Sequence, residues 1–339
     1  MKFAQLGATG LYVSRIALGA MSFGGAGTPP WNFVGGLDDA AAGQLVNTAL
    51  DAGVNLIDTA DMYADGESEE ILGRVIKSRR DEVILATKLA ARMGPGPNDA
   101  GLSRYHVTNA LDASLRRLGT DHIDLYQIHN IDPITPIEET LRALDDAVRA
   151  GKIRYLGASN LAAWQLARAL GKSDQLGLSR FVASQSYYSL AGRDIEAELV
   201  PLLTEEKVGL IVWSPLAGGF LSGKFGRDGS TDAEARHGKT GFPPVDPEAG
   251  YDIVDVLRKV AERREATVAQ TALAWVLAQP AVTSVIAGVK RLDQLTGNLA
   301  AVELELTAED LAELDEVSRP AARYPNWLQA DQSWRHPAA

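Results

Sequence analysis

Asp58, Tyr63 and Lys88 stand at or just past the C-terminal ends of two apolar, strand-like runs, NLIDTA and EVILATK, with the helix-like ESEEILGRVIKSRRD between them. In parallel α/β proteins that edge gathers ligands, because the loops there converge. The three residue types suit one piece of chemistry. A phenol with an ordinary pKa of about 10 exchanges protons poorly at neutral pH, but a neighbouring ammonium favours the phenolate and lowers that value. Lys88 beside Tyr63 would therefore form a general acid/base pair. A buried ammonium needs a counter-charge, which gives Asp58 its role. A structural reading competes: Asp58 caps the following turn, Tyr63 lies on a loop, and Lys88 snorkels from a strand end. His129, closing the run DLYQIHN, is a fourth candidate. A lone strand-end histidine is more often structural than catalytic. In a barrel, however, neighbouring strand ends project into one mouth and would bring all four together.

The elements that must position these side chains alternate regularly. RIALG is an apolar strand breaking into glycines, followed by a loop, TPPWNFVGG, and a helix over 38–52. NLIDTA precedes a helix at 68–78, EVILATKL one at 103–118, HIDLYQIH one at 136–150, and IRYLGASN one at 161–170. RFVASQSYYSL precedes 194–207, GLIVWSPLAGG a helix near 251–264, and TSVIAGV a helix at 291–301. Gly119, Gly151 and Gly209 fall between helix and strand, where helix C-termini favour glycine. Eight such units with short apolar strands predict a closed (β/α)8 TIM barrel. KFAQLGATGLYV reads as an N-terminal β-hairpin; its GATG lacks the G-x-G-x-x-G spacing of a dinucleotide fingerprint and leads into another strand. Three segments exceed a minimal barrel: the long loop 217–250 after the seventh strand, an apolar helix at 268–279, and a C-terminal helix at 307–319 with an aromatic tail. The tail's Tyr324, Trp327 and Trp334 suit a lid, a partner contact or simple docking.

A chain of 339 residues suits one barrel domain spanning 1–339. The net charge is −11, from 33 basic and 44 acidic residues, and no basic run could track phosphates, which argues against nucleic acid and anionic membrane as partners. The absence of cysteine excludes disulfides, thiolate metal sites and a cysteine nucleophile. No apolar run resembles a signal peptide or a membrane span, so a cytoplasmic location is expected.

The stretches GVNLIDTADMYADGESEEILG, ATK, LYQIH and GKIRYLGASN resemble the aldo-keto reductase family in order and spacing, and the resemblance covers nearly the whole chain. It implies a catalytic tetrad of Asp58, Tyr63, Lys88 and His129, with Tyr63 as general acid, His129 orienting the carbonyl, and the Lys88–Asp58 pair tuning the phenol. It also implies NADPH/NADP+ as cofactor. Ser159, Asn160 and Gln185 match the positions that hold the nicotinamide carboxamide, and Trp213 the aromatic ring that stacks on it, with barrel core as that ring's structural alternative. SPLAGGFLSGK, carrying Ser214, Leu216, Gly218 and Lys224, matches the segment over the pyrophosphate. Gly218, Gly223 and Lys224 also satisfy G-x-x-x-x-G-K, but Phe225 stands where a phosphate-loop NTPase needs Ser or Thr for magnesium. Gly288, Lys290, Gln294 and Asn298 match the adenosine end, with Lys290 and Arg291 near the 2′-phosphate or, alternatively, at a solvated helix start. Lys290 lacks the bidentate fork of the arginine common there.

The activity implied is reversible reduction of a small-molecule aldehyde or ketone, without a metal. The alternative is a cofactor-binding regulatory protein, since potassium-channel β subunits resemble the same family. Trp31, Phe33, Met93, Trp213, Trp327 and Trp334 are candidate walls of the substrate pocket, suited to bulky apolar carbonyls.

Overall fold

The computed structural model describes residues 1–227, 229–232 and 235–329; Trp334 lies outside them. Two short strands, β1 (Phe3–Gln5) and β2 (Tyr12–Ser14), pair antiparallel as the expected hairpin. Eight parallel strands follow: β3 (Ile16–Gly19), β4 (Leu56–Asp58), β5 (Ile84–Leu89), β6 (Ile123–Ile128), β7 (Ile153–Ser159), β8 (Phe181–Tyr187), β9 (Gly209–Trp213) and β10 (Val282–Gly288). They run in sequence order around a closed barrel, β10 pairing with β3. The fold is thus the (β/α)8 barrel with an N-terminal hairpin.

The outer ring comprises α1 (Asp39–Asp51), α2 (Glu67–Ile76), α3 (Arg104–Leu118), α4 (Ile137–Arg149), α5 (Ala163–Leu176) and α6 (Leu199–Glu205). It continues with α7 (Arg236–Thr240), α8 (Pro247–Arg263), α9 (Val268–Ala278), α10 (Leu292–Ala300), α11 (Ala308–Ser318) and α12 (Asn326–Gln329). Local chemistry fixes several starts. Asp38 accepts the Ala41 N–H and Ser103 the His106 N–H, each satisfying a donor that the first helical turn leaves open. Thr267 and Gln270 form a reciprocal capping box on α9.

The helix expected over 194–207 is broken into a 3-10 turn at Asp194–Glu196 and the shorter α6. Pro201 lies in the first turn of α6, the one place in a helix where its missing N–H and fixed φ cost little. The helix expected near 251 begins at Pro247, because Asp246 caps it through the Glu248 and Ala249 N–H groups. Gly209 does not end a helix either. It opens β9, and a Cβ there would meet Leu6 Cδ1 at 2.8 Å and the Gly7 nitrogen at 2.9 Å, so it is the hairpin's close approach that demands glycine.

Two apolar layers follow. Inside, Leu56, Ala86, Leu125, Ala183, Ile211 and Ile286 fill the lower barrel, and Leu6 and Val13 of the hairpin plug its N-terminal end. Outside, a larger layer packs strands against helices, with Leu45, Leu72, Leu111, Leu144, Leu170 and Val254 among its helix residues. In barrels of this kind ligands gather at the C-terminal mouth, the end at which Asp58 and Lys88 stand.

Candidate active site

The mouth is assembled by register. Asp58 ends β4 opposite Gly19 of β3 and Ala86 of β5, while Lys88 pairs across to Gln127 of β6. Lys88 is completely buried. Its Nζ donates to Asp58 Oδ1 at 2.5 Å, the Thr59 carbonyl at 2.7 Å and the Tyr63 hydroxyl at 3.4 Å, which uses all three ammonium protons. Tyr63 is held by an unusual turn. Ala64, Asp65 and Gly66 all adopt left-handed φ, at 51°, 55° and 100°. A Cβ on Gly66 would meet Arg117 Cδ at 2.8 Å, so glycine serves both conformation and packing. His129 faces Tyr63 edge to face, ring centroids 5.9 Å apart.

The second oxygen of Asp58 has its own donors: Gln127 Nε2 at 3.1 Å and Gln185 Nε2 at 2.8 Å. Gln127 was not among the residues singled out in the sequence, although it lies two residues before His129 on the same face of β6, a spacing that places it inside the barrel. Its room depends on Gly157 of β7, where a Cβ would come within 2.8 Å of Gln127 Cγ. Gln185 thus supports the Asp58 carboxylate with its amide nitrogen, a contact different from the carboxamide role the resemblance implies.

The electrostatics differ from the sequence expectation at Tyr63. Burial pushes the phenol above its ordinary pKa, and the Lys88 ammonium offsets that only in part, so the phenol is held as a proton donor. At Lys88, burial opposes the charge, yet Asp58 and Tyr63 together hold the pKa above the usual lysine value. His129 is driven down to about 3 by burial and then by Lys88, so it is neutral at physiological pH; its buried Nδ1 has no hydrogen-bond partner among the described residues.

Around this centre, Ser159 Oγ donates to the Gln185 carbonyl at 2.9 Å. Asn160, in left-handed conformation, donates from Nδ2 to the His129 carbonyl and accepts the Trp213 indole N–H on Oδ1, each at 3.0 Å. Trp213 lies against Tyr187, centroids 5.1 Å apart, and nearly parallel to Phe242, at 5.8 Å and 10°. Ser214 Oγ accepts the Gly218 N–H at 2.9 Å and also a proton from Arg236 Nη2. Leu216 packs against the outer apolar layer. Lys224 is ion-paired with Asp232 at 2.7 Å.

Where the resemblance implies the adenosine end, the Lys290 N–H donates to Gln294 Oε1 at 2.9 Å, and Gln294 and Asn298 lie four residues apart on α10. A Cβ on Gly288 would meet nothing within 4 Å, leaving open space at the end of β10. Arg291 is paired with Asp293 at 2.9 Å, a local contact at the helix start.

Of the expected pocket walls, Trp31 reaches the site, its ring 6.1 Å from that of Tyr63. Trp327 instead packs on Tyr324, where Asn326 and Arg323 tie the tail to Ala197 and Asp194. Phe33 is exposed and Met93 half-buried, and among the described residues no ring contact joins Phe33 to Tyr63. Arg236 is the functional candidate the sequence did not disclose. Its guanidinium sits within electrostatic reach of Tyr63 and Tyr187, and among the described residues it has no carboxylate partner and its buried Nε no hydrogen bond. A desolvated guanidinium beside the site suits an anionic ligand.

Among the described residues, no group of His, Asp and Glu is placed to hold a metal ion, and no helix is long and apolar enough to cross a membrane. The sequence profile described as the aldo/keto reductase family matches residues 15–319. The chain is 35% identical to the versiconal hemiacetal acetate reductase of Aspergillus parasiticus, covering 96% of this chain and 99% of that one. It is 36% identical to a probable voltage-gated potassium channel subunit beta of Arabidopsis thaliana, at the same coverage. An uncharacterized oxidoreductase of Bacillus subtilis is 37% identical, over 94% of this chain and 96% of that one. The eight-stranded barrel with its N-terminal hairpin and a profile match over nearly the whole length agree: the chain belongs to the aldo/keto reductase family.

Proposed function

We propose that this oxidoreductase reduces an aldehyde or ketone to the alcohol, reversibly, with NADPH as cofactor and Tyr63 as general acid. The observation that carries the reading is the hydrogen-bond chain Tyr63–Lys88–Asp58, with Asp58 in turn held by Gln127 and Gln185. The bound cofactor would supply the hydride. Tyr63 gives its hydroxyl proton to the carbonyl oxygen, and Lys88 stabilises the phenolate left behind. Neutral His129 orients that oxygen by donating one ring N–H, and Trp31 borders the space in front of Tyr63.

The chain's residues fit the dinucleotide. Trp213 offers a planar face, Ser159 and Asn160 stand beside it, Arg236 and Ser214 provide donors for phosphate oxygens, and Gly288 leaves room beside Lys290. Lys290 near a helix start favours a 2′-phosphate over a hydroxyl. Titration of tryptophan fluorescence with NADPH and with NADH tests this: tighter NADPH binding with quenching supports the assignment, and binding of neither overturns it.

A second reading, a cofactor-binding regulatory subunit, is favoured by the relatives named as channel subunits and by exposed Tyr105, Ile134 and Trp164 in the segments that follow β5, β6 and β7. Steady-state assays with an aromatic aldehyde such as 4-nitrobenzaldehyde separate the two. Multiple rapid turnovers support the enzyme; slow reduction supports the sensor.

A further inference from the structure

Behind the tetrad lies a second acidic group that the chemistry above does not use. Asp61 is fully buried two residues before Tyr63, and its N–H donates to the Lys88 carbonyl at 3.1 Å, tying the Tyr63 turn to β5. Neither of its carboxylate oxygens has a hydrogen-bond partner among the described residues. The Met62 backbone favours charge there, yet it makes no hydrogen bond to either oxygen.

The charged and titratable groups facing it are Glu69 from α2, Arg117 from α3, Lys88 from β5 and Tyr126 from β6. Arg117 is already committed, donating from Nε to Glu69 Oε2 at 2.7 Å and from Nη2 to Ser114 at 3.3 Å. The other oxygen of Glu69 accepts from Thr87 Oγ1 at 2.5 Å. Lys88 has spent its three protons on the catalytic side. The Tyr126 hydroxyl, like the Asp61 carboxyl, is buried with no hydrogen-bond partner among the described residues. Two carboxyl groups thus share one guanidinium, and Glu69 takes it. A carboxylate left without donors in such a place is costly, whereas a carboxylic acid is not. Consistent with this, burial and then the Glu69 charge push Asp61 up to about 7.

We propose that Asp61 is a positioning residue that works as a neutral carboxylic acid, filling the space behind Lys88 without presenting it a second counter-charge. On ionisation it would add a negative charge to that of Asp58, disfavour the Tyr63 phenolate and slow proton donation. This effect on turnover rests on Tyr63 being the acid. The protonation state of Asp61 does not.

The test compares wild type with Asp61→Asn, whose amide has the shape of the neutral acid, by chemical denaturation across pH about 5 to about 9. An acid whose folded pKa is raised contributes stability that is present at low pH and lost as pH rises through that value. Wild-type stability should therefore fall relative to the variant as pH rises from about 5 to about 7 and level off above it, and curves parallel below about 7 would overturn the proposal. In assays with NADPH and an aldehyde, the ratio of kcat at about pH 6 to that at about pH 8.5 should be roughly three- to tenfold larger in wild type than in the variant. Equal ratios alongside diverging stability curves would overturn the link to Tyr63 but leave the protonation assignment standing. Should the variant fail to fold, infrared difference spectra of the wild type between those pH values decide: loss of a protonated-carboxyl band supports the proposal, and its absence overturns it.

Discussion

At the scale of single residues, the site's chemistry follows from how burial and partners divide the charges. Burial raises the Tyr63 pKa and keeps the phenol protonated, and it lowers that of His129, while Asp58 keeps the intervening Lys88 charged. The proximity of Tyr63, Lys88 and Asp58 was legible in the sequence, because strand ends and spacing fix it. The balance at Tyr63 was not, since desolvation depends on packing that no spacing reveals. His129 yields a pH prediction. A histidine whose folded pKa is depressed makes the unfolded state the better proton binder, so its contribution to stability is present above about 6.5 and is lost as pH falls toward about 3. Wild type should lose roughly 1.4 kcal/mol per pH unit more than His129→Asn over that window, measured by urea titration. Gln127 yields another. Gln127→Leu removes one of the two donors to the second oxygen of the buried Asp58 carboxylate, which should cost about 1–3 kcal/mol in stability and lower kcat about tenfold or more. Unchanged values on both counts would mean that Gln185 alone suffices.

At the scale of elements, the barrel strands were readable because each is short, apolar and followed by a helix pattern. The 217–250 loop was readable only as a long insertion, because its contacts are tertiary. In the structure it carries Arg236 to Ser214 and lays Phe242 along Trp213. If Trp213 is the nicotinamide's stacking partner, Phe242 competes with the cofactor for it. Phe242→Ala should then tighten NADPH binding by roughly threefold to tenfold, an aromatic pair being worth about 0.5–1.5 kcal/mol; weaker binding would show instead that Phe242 assists the cofactor. Gly209 carries a similar lesson. Its position between helix and strand suggested a helix end, whereas contact with Leu6 and Gly7 requires the glycine, and only the docked hairpin makes that visible.

At the scale of the whole molecule, a plugged barrel gathers the tetrad, the Trp213 face and the Lys290 corner at a single end. Cofactor preference is a property of that whole end. Lys290→Ala should weaken NADPH about tenfold while leaving NADH nearly unchanged, and an equal effect on both would remove the 2′-phosphate argument. The pocket walls were the least legible part. Trp31 is brought to Tyr63 but Trp327 is held by the tail against Tyr324, because aromatic content says nothing of where a loop or tail docks. The central claim remains the proton from Tyr63. Its most direct test is single-turnover NADPH oxidation by Tyr63→Phe with saturating 4-nitrobenzaldehyde, beside wild type. A rate lower by about a thousandfold, with NADPH binding retained, is the result expected from loss of the general acid. A rate within a few fold of wild type would contradict the account.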